Sequence, residues 1–403
     1  MHYLELVSAV DPRHGGVAAG LAALARSRAA AGDRTTVVSL EDPRAFAGND
    51  FPFTWIGLGP GWSHYAYAPA YRRWLEKHAC EYDAVIVNGL WQYHGHAAWR
   101  ALTRQGIPYL VFPHGMLDPW FARHYPLKHL KKKLFWHFEH RLLRDAAAVC
   151  FTCERERIAA RDVFRPYQVR ESVVGYGIDD PPAADPGQLA AFMRMVPAAA
   201  GKRIILFLSR LHEKKGCDLL IKAFAEVCAY DTRYHLVMAG PDQDGKQATL
   251  QALATELGIA AHVSWPGMLS GDAKWGAYRS ADAFCLPSHS ENFGVVVAES
   301  LACDCPVLIS DQVNIQDEVM AGGAGLVAPD TVAGTAGMLR RWISDDAAAQ
   351  QMRARARPTF IERFHIGAAS ERIRALIPPT AGAAVGGAVL PISAALDPAA
   401  VQS

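Results

Sequence analysis

At 403 residues the chain exceeds what one ordinary core serves and fits two domains of about 150–200 residues each. Its 41 Lys and Arg against 40 Asp and Glu leave a net charge of +1, which argues against nucleic acid as the main partner, and 51% hydrophobic with 20% charged residues is the balance of an α/β globular protein. No apolar run reaches membrane-spanning length, and the residues from Met1 to Ser8 lack the basic start and long apolar stretch of a signal peptide, so a cytoplasmic location is expected.

In chain order, apolar runs at 3–8, 35–39, 84–88, 109–112 and 148–152 read as strands separated by helix-like stretches, among them 17–31, which ends at Gly32. Such alternation implies a parallel sheet covered on both faces. The run Asp179-Asp180-Pro181-Pro182 cannot continue a helix and reads as a linker. Beyond it, strands are expected at 203–209, 235–239, 263–265, 283–286, 306–309 and 325–327. The expected fold class is therefore α/β, with two doubly wound Rossmann-like domains, 1–180 and 181–357, facing a central cleft lined by the carboxyl ends of both sheets. Residues 379–403 are Ala, Gly and Pro with few charges and are expected to be disordered. Of the eight cysteines, Cys150/Cys153 and Cys303/Cys305 lie close in sequence. Cys150 closes an apolar strand, however, and no second pair has matching spacing, so structural thiols are expected.

Several strand ends carry groups suited to chemistry. Ser8 to Val17 contains Gly15-Gly16 before a helix, where backbone can approach a ligand closely, and no Gly-x-Gly-x-x-Gly is present to suggest a nicotinamide or flavin. The loop Asn88-Gly89-Leu90-Trp91-Gln92-Tyr93-His94-Gly95-His96 is rich in groups that stack on or bond to sugars. Pro113-His114-Gly115-Met116-Leu117-Asp118 projects from another strand of the same wall, with Asp118 either a helix cap or an acceptor contact. Within 123–144, seven Lys and Arg stand amid Phe135, Trp136 and Phe138; Leu127, Leu130, Leu134, Phe138 and Leu142 recur at helical spacing and are expected to face the core. The lysines then lie on an exposed flank, either simply solvated or in contact with anionic lipid or a lipid diphosphate-linked acceptor. Arg210 and Lys215 follow the strand 203–209, where two cations could stabilise a diphosphate. Asp242-Gln243-Asp244 spells Asp-x-Asp, a pattern used elsewhere for manganese, but carboxylates before a helix are explained by capping.

The most informative segment is Glu291-Asn292-Phe293-Gly294-Val295-Val296-Val297-Ala298-Glu299, two carboxylates across a strand-to-helix junction. A helix opening after a Gly-containing turn presents free N–H groups to an anion, and both acids can accept hydroxyl hydrogen bonds, so the site suits a ligand that is part phosphate and part polyol. The segment resembles the Glu-x7-Glu signature of retaining glycosyltransferases with the GT-B fold, specifically family 4. Ser300-Leu301-Ala302 and Pro306-Val307-Leu308-Ile309-Ser310 reproduce that family's helix-then-strand continuation, while Asp304 stands where a Gly is usual. Asp tolerates a left-handed turn better than most residues.

The resemblance implies a nucleotide diphosphate sugar as donor and no cofactor or required metal. It implies that Glu291 and the backbone amides of Asn292, Phe293, Gly294 and Val295 hold the sugar, Glu299 the ribose, Arg210 and Lys215 the diphosphate, and Gly16 with Gly15 the pyrophosphate. His114 would contact the sugar and aid catalysis. The acceptor would be a hydroxyl of a glycan or lipid-linked glycan in exopolysaccharide or lipopolysaccharide biosynthesis, with peripheral contact to an anionic membrane through 123–144. The helical stretch 358–376 would return to the first domain. Two rival readings are a sugar-nucleotide epimerase of similar fold and a non-catalytic sugar-nucleotide-binding subunit.

Overall fold

The computed structural model describes residues 1–11, 16–46, 50–119, 122, 124–228, 231–242 and 245–378. Gly15, Arg123, Gln243, Asp244 and the 379–403 tail thus lie outside the described residues. Seven parallel strands form the first sheet: β1 (His2–Leu6), β2 (Arg34–Ser39), β3 (Thr54–Gly57), β4 (Ala84–Asn88), β5 (Tyr109–Phe112), β6 (Ala148–Phe151) and β7 (Glu171–Val173), in the order β3-β2-β1-β4-β5-β6-β7. Six make the second: β8 (Arg203–Leu208), β9 (Tyr234–Ala239), β10 (Val263–Gly267), β11 (Ala283–Leu286), β12 (Val307–Ser310) and β13 (Gly325–Ala328), in the order β10-β9-β8-β11-β12-β13.

Strands buried on both faces read as unbroken apolar runs, because helices cover a parallel sheet from both sides. In the first domain, Leu4, Val85 and Val111 point into one core layer while their neighbours Tyr3, Ile86 and Leu110 point into the other. Phe360 and Phe364 still belong to the second domain's core, so the return to the first begins at Ile366 and not at 358. The helix Ile366–Ala375 then lies against Gly16–Ala30 and places Ile366 and Ile373 beside Tyr3 and Ile86.

Both sheets reverse strand order beside their first strand, between β1 and β4 and between β8 and β11. Loops leaving the carboxyl ends there splay apart and open a crevice. The loops after β5, β8 and β11 meet across it.

One helical expectation is overturned. In the helix Pro126–Asp145 the buried residues are Trp136, Glu139, His140, Leu142 and Leu143. Of the expected core stripe only Leu142 is buried; Leu127 is 83% exposed, Leu130 59%, Leu134 74% and Phe138 51%. Periodicity locates a stripe but not the side from which protein covers it, and here that side is the one carrying Trp136 and Leu143.

Candidate active site

The second domain's contribution starts at the end of β8. Arg210 is exposed and lines the cleft, forming no carboxylate pair among the described residues. Lys215 is 7% exposed and makes an ion pair with Glu291. Gly216 has φ +64, and a Cβ there would stand 2.1 Å from the Pro287 carbonyl oxygen, so only glycine lets this loop pack on the one after β11. In that second loop Gly294, φ 71, caps the helix Val295–Ala302 and directs its free amides at the cleft. The left-handed turn expected at Asp304 is present, with φ 58.

Glu299 sits one turn into that helix, 9% exposed, with Oε1 accepting from Lys274 Nζ at 2.6 Å and Oε2 from Tyr278 OH at 3.0 Å. Sequence reading missed both partners, since Lys274 and Tyr278 belong to another helix, Gly271–Ser280, and no local pattern marks them.

From the first domain, His114 enters the same cleft with φ 49. Asn88 Nδ2 donates to Glu5 Oε2 at 2.6 Å, a carboxylate that can only accept, which leaves Asn88 Oδ1 to accept from His114 Nε2 at 2.8 Å. The proton of the neutral ring is therefore on Nε2, and Nδ1 is an acceptor. Glu5 is held in turn by Arg28 at 2.6 Å, both 1% exposed, with the Arg28 guanidinium 3.9 Å over the Tyr3 ring. Burial pushes His114 down to about 4, so it is neutral at physiological pH and a poor general base there. Asn88→Ala removes this relay while keeping the Glu5–Arg28 pair. Loss of the single proton-on-Nε2 signature in 15N spectra of His114 is expected, with turnover down about tenfold as one orienting hydrogen bond is lost; an unchanged ring spectrum would contradict the assignment.

Glu156, fully buried, accepts from the Thr152 and Gly115 amides, each at 2.7 Å, and so fixes the loop that carries His114. Burial pushes its carboxyl up, and those amides oppose the shift. Across the cleft, Ser290 Oγ donates to Asp118 at 2.7 Å, Asn292 Nδ2 to Thr152 at 3.3 Å, and Arg155 pairs with Asp317 at 2.7 Å. Asp118 thus bridges the domains. Two volumes remain between them. One, about 350 Å³, is walled by His114, Arg210, Lys215, Glu291 and the turn 292–295; the other, about 590 Å³, by Asp118, Glu156, His289, Asn292, Asn314 and Asp330.

Gly16 opens the helix Gly16–Ala30 beside the cleft, its neighbour Val17 lining the 350 Å³ cavity. His94 is not a sugar contact: it is fully buried, bonded to the Asn88 carbonyl at 2.9 Å and pushed down to about 4 by burial. Asp242 accepts from the amides of Lys246 and Gln247 at 2.7 and 3.1 Å. The cysteines are free thiols, buried except for Cys80, and no group of metal-binding side chains gathers among the described residues.

Residues 191–359 match the family of glycosyl transferases group 1, and residues 15–177 the glycosyl transferase 4-like domain. Each of the two domains thus matches a glycosyl transferase family model. The D-inositol 3-phosphate glycosyltransferase of Nocardia farcinica is 34% identical over 176 residues, 40% of this chain and 39% of that protein, so the chain matches about two fifths of that relative's length. Among solved structures, Anabaena HepE in complex with UDP superposes with a TM-score of 0.74 at 19% identity, over 93% of this chain and 99% of that one. WaaG, a glycosyltransferase involved in lipopolysaccharide biosynthesis, gives 0.67 at 16%, over 94% and 99%. These last two likenesses establish the GT-B fold of two facing Rossmann-like domains.

Proposed function

We propose that the chain is a retaining glycosyltransferase that moves a sugar from a nucleotide diphosphate to a hydroxyl of a glycan or lipid-linked glycan, in exopolysaccharide or lipopolysaccharide assembly. The observation that carries this reading is the convergence of Arg210 and Lys215 after β8, the 291–295 turn after β11 and His114 after β5 on one 350 Å³ cavity. Arg210 and Lys215 would stabilise the diphosphate as the glycosidic bond breaks, with the amides of 292–295 and Glu291 holding the sugar. His114 Nδ1 would accept a sugar hydroxyl. Because that ring is a weak base, the departing phosphate takes the acceptor's proton. The 590 Å³ volume beside it is open to the acceptor. The two cations supply the charge neutralisation, so transfer should continue under chelation.

Thermal-shift screening with UDP, GDP and their sugars tests the donor reading, since specific binding raises the melting temperature by mass action. The anomeric configuration of the transferred sugar tests the mechanism; an inverted product would overturn retention.

The exposed Leu127, Leu130, Leu134 and Phe138 lie on the same helix as Lys131 and Lys133, a combination suited to an anionic membrane surface. No helix among the described residues is long and apolar enough to span a bilayer, so contact would be peripheral. Leu130→Ser with Leu134→Ser should weaken cosedimentation with anionic vesicles by about thirtyfold or more, at roughly 1–1.5 kcal/mol per partly buried leucine. Lys131→Gln with Lys133→Gln should add a salt-sensitive loss of about twentyfold. Sedimentation unchanged in all four positions would return the stripe to solvent.

A further inference from the structure

Two more cavities lie between the cleft and the exposed stripe, and successive cavities have walls in common. Asp118 borders both the 590 Å³ volume and a 350 Å³ cavity lined by Met116, Tyr125, Lys128, His129, Lys132 and Phe164. Lys128 and Lys132 in turn border that cavity and a 310 Å³ slot formed by Tyr65, Trp91, Phe135 and Glu139. The slot also includes Lys131, one helical turn from exposed Leu127, Leu134 and Phe135.

The polarity changes in steps along this path. The cleft end is hydroxyl, amide and carboxylate. The middle is cationic: Lys128 and Lys132 lie four residues apart on one helix, a like-charge spacing that is unfavourable in itself and that Glu139 offsets in part at Lys132, and Lys128 and Lys131 form no carboxylate pair among the described residues. Lys132 Nζ stands 4.7 Å over the Trp91 ring, its charge turned inward instead of to water. The far end adds Tyr65, Trp91 and Phe135 to Lys128, Lys131 and Lys132. Its Glu139 is buried and pushed up to about 7 by burial, so the slot's floor is only partly charged at neutral pH.

Resting on the glycosyltransferase reading above, we propose that this path is the acceptor site and that the acceptor is a lipid-linked phosphate or diphosphate glycan. Its sugar lies in the 590 Å³ volume, its phosphate on Lys128 and Lys132, and the start of its hydrocarbon in the slot between Tyr65, Trp91 and Phe135. From there the chain runs out along Leu127, Leu130 and Leu134. The acceptor is thus held by three chemistries in the order in which it carries them, and the helix that meets the membrane also reads the phosphate.

Farnesyl diphosphate, inorganic diphosphate and farnesol, titrated into the full-length protein, separate the possibilities. Farnesyl diphosphate should bind about tenfold or more tightly than either fragment, because both the cationic and apolar compartments are used. Lys128→Gln should weaken it about fivefold and Lys128→Gln/Lys132→Gln about twentyfold, from loss of one and two cation contacts. Wild-type affinity for UDP in these variants shows that they are folded, and the single variant suffices if the double one is not. Equal farnesyl diphosphate affinity in wild type and variants overturns the proposal, as does displacement of the probe by UDP, which would put it on Arg210 and Lys215. Inorganic diphosphate binding as tightly as the farnesyl ester would mean a free-anion site, and farnesol doing so an apolar slot alone; either also overturns it. Failure of the donor reading shows up separately, as a wild-type protein that binds no nucleotide.

Discussion

Lys215→Ala is expected to lower turnover by about two to three orders of magnitude and Arg210→Ala by about one to two, the range for losing one preorganised charge-stabilising donor. The inequality comes from their surroundings. Arg210 is exposed, and its loss subtracts one cation from a wet site. Lys215 is 7% exposed and paired with Glu291, so its removal also leaves a largely buried carboxylate facing the incoming diphosphate. Donor affinity should therefore fall along with turnover in Lys215→Ala. Adding Glu291→Gln to Lys215→Ala should recover part of that lost affinity, because the uncompensated charge goes with it; contacting residues are where additivity fails. Steady-state kinetics of the two single variants, with nucleotide titration of the double one, checks the scheme. Unchanged kinetics in both single variants would remove the diphosphate from this loop, and strictly additive affinities would mean that the Lys215–Glu291 pair does not shape the site.

How legible the chain is depends on where each signal resides. All six strands of the second sheet and the inner strands of the first are apolar runs between turn residues, and sequence finds them within a residue or two. The edge strands β3 and β7 escape. Thr54–Gly57 sits in a segment dense in Pro and Gly, and Glu171–Val173 is short, polar and half-exposed. An edge strand carries little of the burial that makes a strand readable. The same contrast holds at the site. The 291–299 element, Arg210, Lys215 and His114 sit in strand-end loops whose position follows from the alternation of elements, so their convergence is foreseeable. Their supports are not, because Lys274, Tyr278, Asn88 and Glu156 act across the fold. The residue behind Asn88 left a trace: Glu5 stands in the middle of an otherwise apolar strand, where a carboxylate needs a buried partner. Arg28 and Asn88 are those partners. The helix Pro126–Asp145 shows the opposite failure, a clear pattern given the wrong face.

The two glutamates of the 291–299 element should fail differently as glutamines. Glu291 lines the cavity and holds Lys215, so Glu291→Gln frees that cation for the diphosphate while removing a charge beside the transferred sugar. Nucleotide affinity should stay at or slightly above wild type, and the loss should fall on turnover, as for an interaction strongest in the transition state. Glu299 is a different case. Both of its oxygens are already fixed, by Lys274 at 2.6 Å and Tyr278 at 3.0 Å, and their remaining lone pairs are held at one orientation for the ribose proposed to lie against them. A glutamine keeps the shape, but its amide nitrogen must face either Lys274 or Tyr278, so one buried donor loses its acceptor and the orientation is lost with it. Ribose binding is the same before and during reaction. Glu299→Gln should therefore raise the donor's apparent KM more than it lowers turnover, with nucleotide diphosphate binding weakened by about 1–3 kcal/mol, the cost of unpairing buried polar groups. Isothermal titration of both variants with the nucleotide diphosphate decides between the roles. If Glu291→Gln loses the affinity and Glu299→Gln keeps it, the sugar and ribose ends of the site are interchanged, and the Lys274–Glu299–Tyr278 cluster is a brace for the helix Val295–Ala302 and no part of the donor site.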